Sequence, residues 1–224
     1  FMLPQALSFP QAATRFMREG RVLERFRGEN TTRILDKGLL ENGAPYFAME
    51  YVDGIDLAKL VRQYGALSVK DSVNFVRQAG AGMAEAHDKN IVHRDLKPSN
   101  LILTQRPDGS PLIKVLDFGL SKILNEEEHD AEPEVSQTQT TGTMGTPAYM
   151  SPEQARSAKY VDERADIWSL GAILFHLLTA GLPFPAQATA EAFAKLLYDE
   201  PVSAREISPW VPPALEDIIL RCLR

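Results

Sequence analysis

The chain has 224 residues, 44% of them hydrophobic and 24% charged, with a formal net charge of −6. That length supports one large domain or two small lobes, and the acidic balance argues against nucleic acid as the main partner. The single cysteine, Cys222, excludes an internal disulfide and fits a reducing compartment, the four histidines are too scattered for a metal cluster, and no apolar run is long enough to span a bilayer.

In chain order, residues 11–26 put Phe16, Val22, Leu23 and Phe26 on one stripe at helical spacing. Arg33 to Asp36 and Pro45 to Val52 read as short strands around the turn ENGAP. IDLAKLVRQY, after Gly54, predicts a short amphipathic helix. Residues 68–90 predict a longer one, with Val73, Val76, Ala79, Met83 and Ala86 facing inward. Two brief strands, NLILT and IKVLD, follow around the turn RPDGS. Residues 117–153 read as one long irregular stretch, a length that is uncommon unless the loop is functional or disordered. Within it, NEEEHDAEPEV carries six acids and no Lys or Arg, the pattern of a solvated loop. Helices are predicted again over DERADIWSLGAILFHLLTAG, TAEAFAKLLYDE and PPALEDIILRCL. Strands first and helices afterwards predict an α+β fold in two lobes.

The stretch HRDLKPSN, residues 93–100, crowds His93, Arg94, Asp95, Lys97 and Asn100 directly behind the apolar pair Ile91 and Val92. Asp95, Asn100 and Asp117 together offer two carboxylates and an amide oxygen. These are hard ligands suited to Mg²⁺ beside an activated hydroxyl. Asp117 opens the triplet DFG at the end of an apolar strand, and Gly119 lets the backbone swing there.

Spacing and residue types resemble the protein-kinase signature, a catalytic loop H-R-D-L-x-x-x-N followed by D-F-G. GTPAYMSPE (145–153) resembles the end of an activation segment, with Ser151 where the family usually has Ala. DIWSLG (166–171) resembles the helix that follows, and PYFAMEYVDG (45–54) the hinge between lobes. Four ordered matches cover nearly the whole chain, and MSPEQA and DFGLSK resemble the eukaryotic-like Ser/Thr kinases of bacteria.

The resemblance implies a kinase-like two-lobe fold. Residues 1–52 would form a partial N-lobe with its helix and the hinge, and 53–224 a mostly helical C-lobe. It also implies ATP and Mg²⁺ as cofactors. Asp95 would accept or orient the proton of the substrate hydroxyl. Asn100 and Asp117 would hold Mg²⁺, and Lys97 would stabilise the transferring phosphoryl group, which favours Ser/Thr over Tyr substrates. Thr146 would position Asp95 and Lys97. Glu19 would pair with a strand lysine. Met49 would guard the back of the adenine pocket, the backbone of Glu50 and Val52 would bind adenine, Asp56 the ribose, and Ile102 would floor the ring. Asp166 would hydrogen-bond the catalytic loop's backbone. Plainer readings stand beside these: loop caps for Asp95 and Asn100, core packing for His93, Phe118, Met49 and Ile102, and a helix N-cap for Asp56.

In SQTQTTGTMGT, Thr138 and Thr140 match activation-loop threonines that such kinases autophosphorylate. Arg94 and Lys122 would then be the cationic partners of the phosphate. A mobile linker is the plainer reading of that loop. The implied partners are protein substrates with Ser or Thr acceptors and a second kinase molecule for trans-autophosphorylation. The implied location is cytoplasmic, with the full-length protein anchored at a membrane in some related kinases.

No G-x-G-x-x-G and no V-A-I-K-like segment occurs, although a kinase needs both a Gly-rich loop and a strand lysine. The start at Phe1 and the end inside an apparent helix read as a fragment of a longer enzyme, so the expectation for these 224 residues alone is weak ATP binding and poor turnover. A pseudokinase or scaffold acting by protein binding is the rival, and a small-molecule phosphotransferase is a second.

Overall fold

Two antiparallel sheets shape the first half of the chain in the computed structural model, which describes residues 16, 20, 23–118, 147–156 and 161–224. Strand β1 (Ile34–Leu39) pairs with β2 (Pro45–Met49), from Ile34 opposite Met49 to Leu39 opposite Pro45. The hairpin closes through Leu40 N–H donating to Ala44 O at 2.8 Å, with Gly43 at φ 81°. β1 therefore runs beyond the expected Asp36, because the turn keeps its partner in register up to Leu39. β2 stops at Met49 rather than Val52, and its pairing ends with Glu50 N–H donating to Arg33 O at 2.9 Å.

Phe16 and Leu23 of the expected stripe are helical and buried, Phe26 is buried just past the helical residues, and Val22 lies outside the described residues; Gly20 is also helical and buried. The Phe16 ring stacks on Phe47 of β2 at 4.5 Å, and a Cβ on Gly20 would lie 1.8 Å from the Phe47 ring. Only glycine admits that close approach.

The second sheet has the order β3 (Ile55–Asp56), β4 (Leu101–Gln105), β5 (Pro111–Val115). Across it, Asp56 pairs with Ile102 and Ile102 with Lys114. Helix α1 (Leu57–Tyr64) begins under the Asp56 carboxylate, which accepts from Lys59 N–H at 2.8 Å, and stops at Gly65, φ 75°.

Helix α2 (Val69–His87) starts on Ser68, whose hydroxyl accepts from Asp71 N–H. It buries Ser72, Phe75, Gln78, Ala79, Gly82, Met83 and Ala86. Val76 is partly buried, but Val73 is 38% exposed and not inward as expected. The buried face runs through positions 72, 75, 79, 82 and 86, and residue 73 falls off that stripe by one step of about 100°.

The helical half comprises α3 (Pro152–Arg156), α4 (Arg164–Thr179), α5 (Thr189–Tyr198), α6 (Ala204–Ile207) and α7 (Pro213–Cys222). α4 is apolar on nearly every face because it is surrounded. Leu170, Ile173 and Leu177 join a core with Phe75, Met83, Leu101, Ile113 and Phe118 from α2 and the second sheet. Trp168, Phe175 and Leu178 join another with Phe184, Val211 and Ile219. α3 begins in the last two residues of the stretch expected to be irregular and runs three residues past it, and β3, α6 and a 3-10 turn over Pro98–Asn100 are too short to leave a periodic signal. Among the described residues, no helix is long and apolar enough to cross a membrane. The architecture is α+β, with a two-stranded and a three-stranded sheet in the first half of the chain and helices in the second.

Candidate active site

The loop 91–97 is fastened to the buried helix α4 by one carboxylate. Asp166 has no exposed surface. Its Oδ2 accepts from His93 N–H at 2.8 Å and Oδ1 from Arg94 N–H at 3.0 Å, while His87 Nε2 donates to Oδ2 at 2.8 Å. A loop has no ladder partners for its amides, so a side-chain acceptor from below must supply them. The expected backbone role of Asp166 is what the structure has. Arg94 is held at φ 61°, a left-handed conformation that a non-glycine residue keeps only when its surroundings impose it.

The fully buried His93 joins the loop to the strand end that carries Asp117. Its Nε2 faces Leu116 O at 2.9 Å, an atom that can only accept, so Nε2 bears the proton. Asp95 N–H, which can only donate, points at Nδ1 at 3.3 Å. Burial pushes the His93 pKa down, although the Leu116 carbonyl and the Asp166 and Asp95 carboxylates favour the cation. The neutral ring is thus the form the hydrogen bonds require. Phe118 packs edge-on to Phe26 at 4.7 Å and tilted against His93 at 5.2 Å, in keeping with a packing role for both residues.

Three further bonds gather the polar residues of this loop. Asn100 N–H closes the 3-10 turn on Lys97 O, and Leu116 N–H donates to Asn100 O at 2.9 Å. Asn100 Nδ2 donates to Asp95 O at 2.9 Å. The carbonyl fixes which end of the amide is nitrogen, and the side-chain oxygen is directed away from it. Lys97 Nζ pairs with Asp95 Oδ2 at 2.9 Å on a half-exposed surface. Asp117 follows directly on Leu116, exposed and at φ 53°. Hydrogen bonds therefore join Asp95, Lys97 and Asn100, and the bond from Leu116 N–H to Asn100 O brings the strand end that runs into Asp117 beside them. The donor set of Asn100 and Asp117, an amide oxygen and a carboxylate, fits a hard divalent cation.

At the hinge, Met49 ends β2 and is 39% exposed. The Glu50 amide is used in pairing with Arg33, and Val52 is half-buried. Asp56 caps α1, and its carboxylate also pairs with Lys59 Nζ at 3.1 Å, so the plainer N-cap reading holds. Ile102 lies in the middle strand, flanked by Asp56 and Lys114. Glu19, Lys122, Thr138, Thr140 and Thr146 lie outside the described residues.

Several positioning groups escaped the sequence reading. Gln154 Nε2 donates to Arg94 O at 2.7 Å, and Gln154 forms a reciprocal capping pair with Ser151 at the start of α3. Ser151-x-x-Gln154 is a legible capping-box signal. The Glu85 carboxylate accepts from Arg27 N–H at 2.6 Å, Gly28 N–H at 3.0 Å and the Thr31 hydroxyl at 3.0 Å. Burial pushes the Glu85 carboxyl up, but these donors outweigh it and hold the pKa below the ordinary value. Glu85 sits on an otherwise ordinary helix face, and no sequence signal marks it.

Comparison with known proteins gives consistent findings. The family model described as protein kinase domain matches residues 5–224. The chain is 37% identical over 219 residues to serine/threonine-protein kinase pkn3 of Myxococcus xanthus, covering 97% of this chain and 39% of that protein. It is 35% identical over 207 residues to serine/threonine-protein kinase PrkC of Bacillus subtilis, covering 92% of this chain and 30% of that protein. It thus spans well under half the length of either relative. A solved structure of Rad53 1–466 in complex with AMP-PNP superposes with a TM-score of 0.73 at 25% identity, over 93% of this chain and 49% of that one.

Proposed function

The chain belongs to the protein kinase domain family, and on that premise we propose that it transfers the γ-phosphoryl group of ATP to Ser or Thr hydroxyls of protein substrates. The observation that supports the reading is the pair of hydrogen bonds at Asn100, Nδ2 to Asp95 O and Leu116 N–H to the Asn100 carbonyl, which sets Asn100 between the loop of Asp95 and the strand end that runs into Asp117. Asp95 takes or orients the proton of the acceptor hydroxyl. Lys97, paired with it, carries positive charge towards the phosphoryl group in flight. Asn100 and Asp117 are the residues that would hold Mg²⁺, which when bound neutralises phosphate charge.

The adenine lies against the hinge in this proposal, hydrogen-bonded to the backbone of Glu50 and Val52, with Met49 behind and Ile102 beneath. Asp56 would share its capping carboxylate with the ribose. Glu19 pairs with a phosphate-gripping lysine, and Thr146 orients Asp95 and Lys97. Phosphorylation of Thr138 or Thr140, by a second kinase molecule, orders the loop against Arg94 and Lys122.

The experiment is transfer of labelled phosphate by the full-length protein to a Ser/Thr substrate. Asp95→Asn lowers the rate by about 10²–10⁴-fold, the range of a lost general base, while ATP still binds. Wild-type protein that binds ATP but transfers nothing would refute the catalytic assignment and leave a protein-binding scaffold.

A further inference from the structure

Lys114 lies in β5, three residues before Asp117, and only 8% of its surface is exposed. Lysine is almost never so deeply placed without a partner. Its ammonium pairs with Glu50 Oε1 and donates to Thr31 O at 3.3 Å. The same Glu50 oxygen accepts from Arg33 N–H at 3.0 Å. Segment 30–32 is itself stitched along β5: Val115 N–H donates to Asn30 O at 2.8 Å and Thr32 N–H to Val115 O at 3.3 Å. One cation therefore ties together the strand that runs into Asp117, the segment that leads into β1, and the first hinge residue after β2.

We propose that Lys114 is a positioning residue for nucleotide binding. This rests on the kinase reading above. Through Glu50 it fixes the distance between the hinge backbone, where adenine would lie, and β5, the strand that runs into Asp117. Ile102, the proposed floor of the adenine, is the cross-strand partner of Lys114, so the same contact sets the height of that floor. Lys114 does not itself touch the nucleotide. Its ammonium is spent on Glu50 and Thr31, on the hinge side of the strand, which argues against a direct grip on phosphate.

Removing the ammonium frees the Glu50 side chain to seek water, and the hinge backbone moves with it. Because the displaced element is the one facing adenine, the loss appears in the base and not in the phosphates. Adenosine and ATP are therefore the discriminating pair of probes.

The test is calorimetric titration of the full-length protein and its Lys114→Met variant with adenosine and with Mg-ATP, alongside the melting temperature. The expected result is an equal loss, about tenfold, in affinity for both ligands. Turnover at saturating ATP changes far less than KM for ATP, and KM for the protein substrate does not move. A loss for ATP alone overturns the proposal by placing Lys114 at the phosphates. A lower melting temperature with both affinities intact overturns it by making the pair structural only. If the Met variant does not fold, Lys114→Arg keeps the charge on a longer planar head. It should weaken both ligands in equal proportion, about threefold, and unequal or absent effects count against the idea. Wild-type protein that binds neither ligand removes the nucleotide site itself, an outcome read before any variant is compared.

Discussion

Replacing Asp166 by Asn tests whether one buried carboxylate holds the loop 91–97, the proposed catalytic loop. Asp166 spreads three accepted hydrogen bonds over two oxygens, to His93 N–H, His87 Nε2 and Arg94 N–H. An amide has one oxygen and one NH₂. Its better rotamer keeps the oxygen on His93 and His87, which turns the NH₂ towards Arg94 N–H, donor against donor. A charge-assisted bond is lost, about 1.5–3 kcal/mol, and a buried N–H is left unmet, about 1–3 kcal/mol. Release of Arg94 from its φ of 61° returns part of this, about 1–3 kcal/mol for a strained residue. The net expectation is a loss of about 2 kcal/mol, a large share of the roughly 5–15 kcal/mol that holds a domain together. Urea unfolding followed by tryptophan fluorescence measures it, since Trp168 is buried in α4, stacked on Phe184. Phosphate transfer well below the melting temperature should fall about tenfold or more, because the loop loses its fixed geometry. A stability change under about 1 kcal/mol with unaltered transfer would mean that the loop holds its own shape, and the reasoning above would be wrong.

Two further outcomes follow from titrating groups. The native His93 ring is neutral and its pKa is pushed down, so below the ordinary value of 6.5 the unfolded chain takes up a proton that the native state refuses. Stability then falls as pH drops, by up to about 1.4 kcal/mol per unit, and His176, also pushed down by burial, adds in the same direction. Urea midpoints from pH 7.5 to 5.5 should slope accordingly, and His93→Asn should flatten that slope by about one proton; an unchanged slope would contradict the neutral ring. Glu85→Gln should cost about 1.5–3 kcal/mol at neutral pH, since one oxygen and the charge are lost from three close donors. The Glu85 pKa is depressed, so its stabilisation is complete above the ordinary 4.5 and is lost as pH falls through the lower native value. The gap between wild type and variant should therefore close in acid, and a gap that persists at pH 3 would trace the cost to packing.

The sequence marks the loop 93–100 and the strand end at Asp117 and leaves much of the scaffolding hidden. HRDLKPSN and DFG carry their signal in local spacing: Asp95, Lys97 and Asn100 share hydrogen bonds, and Asp117 follows Leu116, whose N–H donates to Asn100 O, while Gly119 lies outside the described residues. The long helices were readable because an apolar stripe repeats over several turns. α2 shows the limit: its stripe was found, but Val73 was assigned to it although it lies one step off the face. β3 and α6, of two and four residues, have no period to detect. Lys114, Glu85 and Gln154 were missed for another reason. Each acts on a segment remote in sequence, 64 residues away for the Lys114–Glu50 pair and 60 for Gln154 to Arg94, so nothing beside them announces the partner.

Those hidden residues share a physical logic. Segments 27–33 and 91–97 are largely irregular backbone pressed against a core, and the amides of Arg27, Gly28, Arg33, His93 and Arg94 are met by side chains and not by a strand ladder. A carboxylate is well suited to meet several of them at once, because it accepts at two oxygens and carries a charge that strengthens each bond. Asp166 does so for His93 and Arg94, Glu85 for Arg27 and Gly28, and Glu50 for Arg33. Lys89 stands beside Glu85 and Lys114 beside Glu50 as ion pairs, and His87 Nε2 donates to Asp166. A buried ion pair of this kind is a poor source of net stability, since desolvation offsets most of the attraction. Its value is in geometry: it gives an irregular loop one conformation, and transfer between bound reactants depends on that. The residues that look like surplus buried charge are thus the means by which a polar, unladdered loop is kept still enough for chemistry.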